Sequence, residues 1–108
     1  MNDLIRVEKQ LQGEICTLYV NGVLDYSTMD PFDKEIRSID CNIRQVVVNF
    51  ENLSFIDSTG LGSIVNLVHE ASDKQFNVFL EGINEEINDL FETVGVYKII
   101  ESLQEVGE

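Results

Sequence analysis

The sequence predicts an α/β fold in one domain over residues 1–108, with a mixed β-sheet packed against helices. The chain has 108 residues, of which 44% are hydrophobic, enough to build a core without disulfides. Short β-rich runs alternate with segments whose apolar residues recur at helical spacing. Strands separated by helices favour parallel pairing, whereas the first two strands read as a hairpin. We therefore expect the order β-β-α-β-α-β-α, followed by a variable C-terminal element.

The first two strands are predicted in residues 4–9 and Ile15–Val20, on either side of the turn residues Gln12–Glu14. This pair is expected to form an antiparallel hairpin. Asn21 and Gly22 are typical of a turn, so the second strand is expected to end there.

A helix is predicted after the hairpin. Ser27 or Thr28 can cap it through a side-chain oxygen, and Pro31 suits its first turn, where a missing N–H costs little. The apolar residues at helical spacing are Phe32, Ile36 and Ile39.

The rest of the chain predicts two buried strands and further helices. Arg44–Phe50 contains three successive valines, as expected of a central strand covered on both faces, and residues 76–80 predict the second such strand. A helix is predicted between them over residues 58–73. Asn84 can cap the next helix, which should end before Gly95 and turn three apolar residues to the sheet: Ile87, Leu90 and Phe91. Residues 96–103 fit either a short strand or a last helix.

Charge and composition exclude several classes of function. The chain carries 20 acidic and 7 basic side chains, a net charge of −13, which disfavours binding to nucleic acid or to a membrane surface. Two cysteines without metal-binding spacing and a single histidine make a metal site improbable. The N-terminus has no apolar signal segment and the chain has no 18-residue apolar run, so a cytoplasmic protein is expected.

The segment Phe55–Gly62 is the one in which function is most easily placed, because it predicts a strand exit that turns into a helix. Asp57, Ser58 or Thr59 can cap that helix, and its free N–H groups can hold an anion. Gly60 and Gly62 would allow a partner or a neighbouring strand to approach closely. A capped helix packed tightly on the sheet explains the same residues equally well.

Enzyme motifs are not found around this segment. No lysine follows the glycines as in a phosphate-binding loop, and neither GxGxxG nor GxSxG occurs. His69 lies about three turns further along the predicted helix, too far to activate Ser58, and only Asp25 or Asp57 could serve as a base. We therefore expect no enzyme, assign no catalytic residue, and give a hydrolase little weight.

Residues Val46–Gly62, with the Asp-Ser-Thr-Gly-Leu-Gly element at 57–62, resemble the signature of the STAS family, specifically its stand-alone bacterial anti-sigma factor antagonists. The likeness extends to residues 22–25 and 93–96, and thus over nearly the whole chain. Two positions depart from the pattern: Val23 and Asn49 stand where acidic residues are common in the family. The resemblance implies a single STAS-type domain.

The resemblance also implies a phosphorylation switch. Ser58 would be phosphorylated by an anti-sigma factor that is itself a serine kinase of the histidine-kinase-like ATPase type. The unmodified antagonist would bind this partner and release the sigma factor, phosphorylation would abolish binding, and a PP2C-type phosphatase would reverse it. Thr59 offers a second hydroxyl, but the family pattern favours Ser58. No cofactor is implied. The implied partner-binding residues are Asp25, Ser27, Thr28, Asp57, Ser58, Thr59, Gly60, Leu61 and Gly62.

A second hypothesis is a STAS-type ligand sensor or lipid-transport accessory module. In this case the helix N-terminus would hold a nucleotide or another small anion. The net charge of −13 and the lack of a basic clamp near Ser58 argue against it.

Overall fold

The computed structural model describes residues 5–105, which form a five-stranded mixed sheet and four helices. The strands are β1 (Ile5–Gln12), β2 (Ile15–Leu24), β3 (Gln45–Asn49), β4 (Leu53–Ile56) and β5 (Asn77–Glu81). The helices are α1 (Met29–Arg37), α2 (Ser58–Lys74), α3 (Glu85–Val94) and α4 (Val96–Glu105). The predicted fold class, a mixed sheet with an N-terminal hairpin and parallel strands, is confirmed.

The strand β2 pairs with three of the other four strands of the sheet. It pairs antiparallel with β1, its first half pairs parallel with β3, and its last residues pair parallel with β4. β5 lies beside β3, also parallel. The expectation that β2 ends at Asn21 and Gly22 was wrong. The strand continues to Leu24 because its last residues pair with β4, its third partner, across a register shift that follows Gly22, where φ is 104°.

This third partner of β2, the strand β4, adds a strand to the predicted order. After β3 the chain turns at Phe50, whose carbonyl oxygen accepts from the N–H of Leu53 at 3.0 Å, and then joins the end of β2. β4 has only four residues, too few for a periodic pattern to mark it as an element of its own. Its parallel pairing with β2 brings the ends of both strands to the same edge of the sheet.

Residues of the sheet alternate between a covered and an uncovered face. Cys16, Leu18, Val46 and Val48 are fully buried and pack with apolar residues from the helices in one core. Val47, between the two buried valines of β3, is only half-buried, since burial alternates along the strand. The expectation that β3 is covered on both faces was therefore wrong.

The helices mostly follow the predicted apolar pattern. Phe32, Ile36 and Ile39 are buried as expected. Asn84 caps α3 by accepting from the N–H of Ile87 at 2.8 Å, and α3 ends before Gly95, both as predicted. Leu90 was wrongly expected to face the sheet, because Ile87 and Phe91 fill that stripe and Leu90 is 41% exposed.

The C-terminal element is a helix, α4, which settles the alternative left open by the sequence. Val96 anchors its first turn in the core, and the ring of Tyr97 meets that of Phe91 edge to face at 6.0 Å. None of the helices within residues 5–105 combines the length and apolar character needed to span a bilayer.

Candidate functional site

Two turns meet at the edge of the sheet where β2 and β4 end. One turn, residues 25–28, leads from β2 into α1, and the other, residues 57–60, consists of the N-cap Asp57 and the first residues of α2, directly after β4. The N–H of Asp57 donates to the carbonyl oxygen of Leu24 at 3.3 Å, which continues the β2–β4 pairing into the turns. We call residues 25–28 and 57–62 together the Ser58 surface.

Asp57 holds the two turns together. It is the N-cap of α2 in extended conformation, and its Oδ1 accepts from the N–H of Gly60 at 2.9 Å. Its Oδ2 accepts from the N–H of Tyr26 at 3.4 Å. Of the three residues predicted as caps, Asp57 therefore fills this role, and it leaves the hydroxyls of Ser58 and Thr59 out of the cap.

Ser58 and Thr59 differ in exposure although they are adjacent. Ser58 is the first residue of α2 and is exposed, whereas Thr59 is half-buried. Within residues 5–105, no side-chain hydrogen bond engages the Ser58 hydroxyl. Ser58 is therefore the more accessible of the two hydroxyl-bearing residues.

The Asp25 carboxylate is fixed by its own turn. Its Oδ1 accepts from the N–H of Ser27 at 2.9 Å and from the hydroxyl of Ser27 at 2.8 Å. The hydrogen bond from the Ser27 hydroxyl lowers the pKa of Asp25 below its ordinary value. Asp25 therefore carries a negative charge at neutral pH. It directly precedes Tyr26, whose N–H donates to the carboxylate of Asp57.

Thr28 closes this turn from inside the protein. It is fully buried, and its hydroxyl donates to the carbonyl oxygen of Val23 at 2.7 Å and accepts from the N–H of Asp25 at 2.9 Å. Thr28 occupies the N-cap position of α1 but makes no side-chain cap bond. The prediction that Ser27 or Thr28 caps α1 was wrong, because Thr28 is committed to β2 and Ser27 to Asp25.

The two glycines of the segment have different surroundings. A Cβ added at Gly60 would lie 2.3 Å from the carbonyl oxygen of Leu24 and 2.7 Å from Cγ1 of Ile56, so only glycine allows this contact between turns. A Cβ at Gly62 would meet nothing within 4 Å. The close approach considered for both glycines thus occurs at Gly60 alone.

The predicted site residues fall into an exposed group and a supporting group. Ser27, Ser58 and Gly62 are exposed, and Asp25, Asp57 and Thr59 are half-buried. Thr28, Gly60 and Leu61 are buried and position the others.

His69 is exposed on α2, and eleven residues of helix place it roughly 16 Å from Ser58. In the part of the chain that the structure describes, no three His, Cys, Asp or Glu side chains cluster as metal ligands would.

Two aromatic residues at this edge of the sheet, Tyr26 and Phe55, were not predicted from the sequence as site residues. Their side chains are 77% and 52% exposed. The sequence held a signal for Tyr26, which is a large ring in a turn of small polar residues. It held none for Phe55, because alternation from the buried Leu53 would turn Phe55 to the core, and only the register shift between β4 and β2, which skips Ser54, turns it outward.

Comparison with known proteins identifies the family of this chain. The family model of the STAS domain matches residues 6–108 of its sequence. The chain is 28% identical, over 93 residues, to an anti-sigma-B factor antagonist from Staphylococcus aureus, and the match covers 85% of this chain and 86% of that protein.

Solved structures support the fold. The Bacillus cell fate determinant SpoIIAA in its phosphorylated form matches with a TM-score of 0.68 and 21% identity, over 87% of this chain and 86% of that one. An anti-sigma factor antagonist from Mycobacterium paratuberculosis matches with a TM-score of 0.72 and 17% identity, over 87% and 80% of the two chains.

Proposed function

This chain belongs to the STAS domain family, and on that premise we propose that it is an anti-sigma factor antagonist controlled by phosphorylation of Ser58. Its unmodified form binds an anti-sigma factor and thereby releases a sigma factor. Phosphorylated on Ser58, it no longer binds. The relatives named as anti-sigma-B factor antagonists, which match over most of their own length, support the general class of this proposal.

The observation that carries the proposal is the position of Ser58. It is exposed at the first residue of α2, with no side chain in the described chain holding its hydroxyl. Asp57 precedes it, and the hydrogen bond between Tyr26 and Asp57 brings the Asp25 turn alongside. A phosphate on Ser58 would therefore enter a surface that already carries two carboxylates.

Such a phosphate would change binding more than folding. It adds about −1.5 to −2 charges at the N-terminus of a 17-residue helix, where the helix dipole favours negative charge. The two turns keep their hydrogen bonds, since none of them uses the Ser58 hydroxyl. In a partly desolvated contact, a penalty of about 2.8 kcal/mol weakens binding a hundredfold, and one repelled charge can supply it.

The partners follow from this role. The anti-sigma factor is proposed to be a serine kinase of the histidine-kinase-like ATPase type, and a PP2C-type phosphatase is proposed to return the chain to its binding form. The chain itself is proposed to act as a binding module without catalysis, as its relatives named as antagonists suggest. A cytoplasmic location suits these partners.

The anion-sensor alternative has weaker support. An anion at the N-terminus of α2 would need its free N–H groups, yet the Asp57 carboxylate already accepts from Gly60 at 2.9 Å. Asp25 adds a further negative charge close by. Saturable binding of a nucleotide in calorimetry, without any kinase, would favour the sensor over the antagonist.

The test combines phosphorylation with binding. The protein is mixed with ATP and the candidate anti-sigma factor kinase, and the modified residue is mapped by mass spectrometry. We expect one phosphate, on Ser58, and loss of binding to the kinase in its presence. A PP2C-type phosphatase should remove the phosphate and restore binding.

Three variants sharpen this test. Ser58→Ala should bind the kinase without accepting phosphate, and Ser58→Asp should bind at least tenfold more weakly than Ser58→Ala. Thr59→Ala is the matched control and should still be phosphorylated. Equal binding by the alanine and aspartate variants at position 58, or phosphate on Thr59 in the wild-type protein, would contradict the proposal.

A further inference from the structure

Of the two most exposed aromatic side chains in the described chain, Tyr26 belongs to the Ser58 surface and Phe55 lies at its border. Tyr26 is 77% exposed and Phe55 is 52% exposed, compared with 47% for Phe79 and 36% for Tyr97. Large apolar side chains gain nothing for folding when they stay in water. Two of them at one surface indicate a place where another protein excludes that water.

Tyr26 is presented by a rigid turn. Its own N–H donates to Asp57, and the flanking residues are held by hydrogen bonds from Ser27 to Asp25 and from the N–H of Asp25 to Thr28. The ring thus projects from a backbone that is already ordered. An aromatic residue on an ordered turn loses little conformational entropy when it binds, which is a property of residues that dominate interfaces.

Phe55 extends the apolar area on the other chain segment. It pairs across the strands with Val23, while the next pair, Leu24 and Ile56, is buried. Because side chains alternate along a strand, Val23 and Phe55 lie on the face of the sheet opposite to the core. Val23 is half-buried and is the cross-strand neighbour of Phe55, the position from which side chains on one face of a sheet interact.

The charges around these residues define the matching surface. Residues 23–30 and 51–62 contain Asp25, Asp30, Glu51 and Asp57, and they contain no lysine or arginine. Apolar anchors surrounded by carboxylates fit an apolar pocket with a basic rim. The apolar contact would provide most of the affinity, and the charges would steer the encounter.

We propose that Tyr26 and Phe55 are the anchors by which this chain recognises its anti-sigma factor, through an apolar pocket rimmed by lysine or arginine. This inference rests on the proposed function and specifies its partner surface. Ser58 switches the contact off, whereas the two rings determine how tightly the unmodified chain is held.

The test measures affinity for the anti-sigma factor that phosphorylates Ser58, with the unphosphorylated chain and without ATP. Tyr26→Ala and Phe55→Thr should each weaken binding by tenfold or more, as expected at interface anchors. Threonine keeps a strand-favouring residue in β4. Tyr26→Phe should bind within twofold of the wild type, because the apolar ring is retained.

Phe79→Ala is the control. Phe79 lies on β5, in the row of the sheet that contains Val47 and Thr17, so its replacement should not affect binding.

The outcomes separate the two proposals. If the wild-type chain is bound and phosphorylated but Tyr26→Ala and Phe55→Thr bind within twofold of it, the anchors are refuted and the switch stands. If Phe79→Ala weakens binding as much as they do, the contact lies elsewhere on the sheet and the anchors are again refuted. If the wild-type chain is neither bound nor phosphorylated, both proposals fall. Urea unfolding of every variant checks that the fold is retained. If Tyr26→Ala is less soluble than the wild type, Tyr26→Gln takes its place.

Discussion

Gly60→Ala should destabilise this protein, whereas the same substitution two residues later, Gly62→Ala, should stabilise it. A Cβ at Gly60 would lie 2.3 Å from the carbonyl oxygen of Leu24, about 1.1 Å short of the 3.4 Å at which ordinary contact begins. The clashing atom belongs to the backbone of β2 and cannot rotate away. The start of α2 must therefore move, and the hydrogen bond from Asp57 to Leu24, already 3.3 Å long, would be lost or stretched.

The magnitude follows from opposing contributions. Replacing glycine by alanine within a helix favours the folded state by up to about 1 kcal/mol, and this gain applies at both positions. At Gly62 nothing opposes it, because the space is open. At Gly60 overpacking costs about 1–3 kcal/mol and the weakened hydrogen bond costs about 1 kcal/mol more. We expect Gly60→Ala to lose about 2 kcal/mol and to lie about 3 kcal/mol below Gly62→Ala.

Urea unfolding followed by far-ultraviolet circular dichroism measures this difference, since the chain has no tryptophan. Because both variants change glycine to alanine in one helix, effects on the unfolded chain largely cancel between them. Gly60→Ala should also be phosphorylated more slowly, because Ser58 moves with the displaced turn. Equal stability of the two variants would refute the reasoning, since it would mean that the turns do not approach as closely as the structure indicates.

Three further predictions concern the residues that tie the two turns together. Asp57→Ala removes the cap of α2 and should cost about 1 kcal/mol in urea unfolding, whereas Asp57→Asn should keep most of that stability. Thr28→Val should cost about 1–3 kcal/mol in the same assay, because it leaves the N–H of Asp25 and the carbonyl of Val23 without their partner, whereas Thr28→Ser should cost less. Asp25 has a lowered pKa in the folded state, so its stabilising contribution is present above its ordinary value of 3.8 and is lost as pH falls through the lower folded value. Unfolding of wild type and Asp25→Asn between pH 7 and about pH 2 should therefore converge at the acid end.

Each of these has a contrary result. Equal stability of Asp57→Ala and Asp57→Asn would mean that the cap is unimportant. Thr28→Val as stable as Thr28→Ser would mean that the buried hydroxyl closes no turn. A stability difference between wild type and Asp25→Asn that grows as the pH falls would show that the Ser27 hydrogen bond does not favour the charged carboxylate.

The fold class could be predicted from the sequence because it depends on local patterns. The apolar spacing of Phe32 and Ile36 marks α1, although Ile39, which continues the spacing, lies beyond the end of the helix at Arg37, and Asn84 and Gly95 mark the ends of α3. These signals involve residues within a few turns of one another, so they are visible in one segment at a time. The start of α2 at Asp57 and Ser58 was predicted for the same reason.

The predicted cap of α1 was wrong for a local reason, since Ser27 and Thr28 bond to residues at most five positions away. The other wrong predictions concern contacts between segments distant in the chain. The extension of β2 past Gly22 requires β4 as a partner, and that pairing appears only when residues 22–24 meet residues 53–56. The half-buried state of Val47 depends on which face of the sheet the helices cover. Leu90 and Phe91 are adjacent and both apolar, so only the packed core shows which of them it contains.

The sequence by itself determined that this chain is an acidic α/β protein with a capped helix beginning at an Asp-Ser-Thr-Gly segment, because composition, caps and periodicity are local properties. Only the tertiary structure decided that Asp57 also bonds to the turn of Tyr26, that Gly60 rather than Gly62 permits the close contact, and that Tyr26 and Phe55 stand exposed beside them. Two turns separated by about thirty residues meet there because β2 and β4 run parallel and end at the same edge. That meeting leaves the Ser58 hydroxyl free, next to carboxylates that the sequence places far apart.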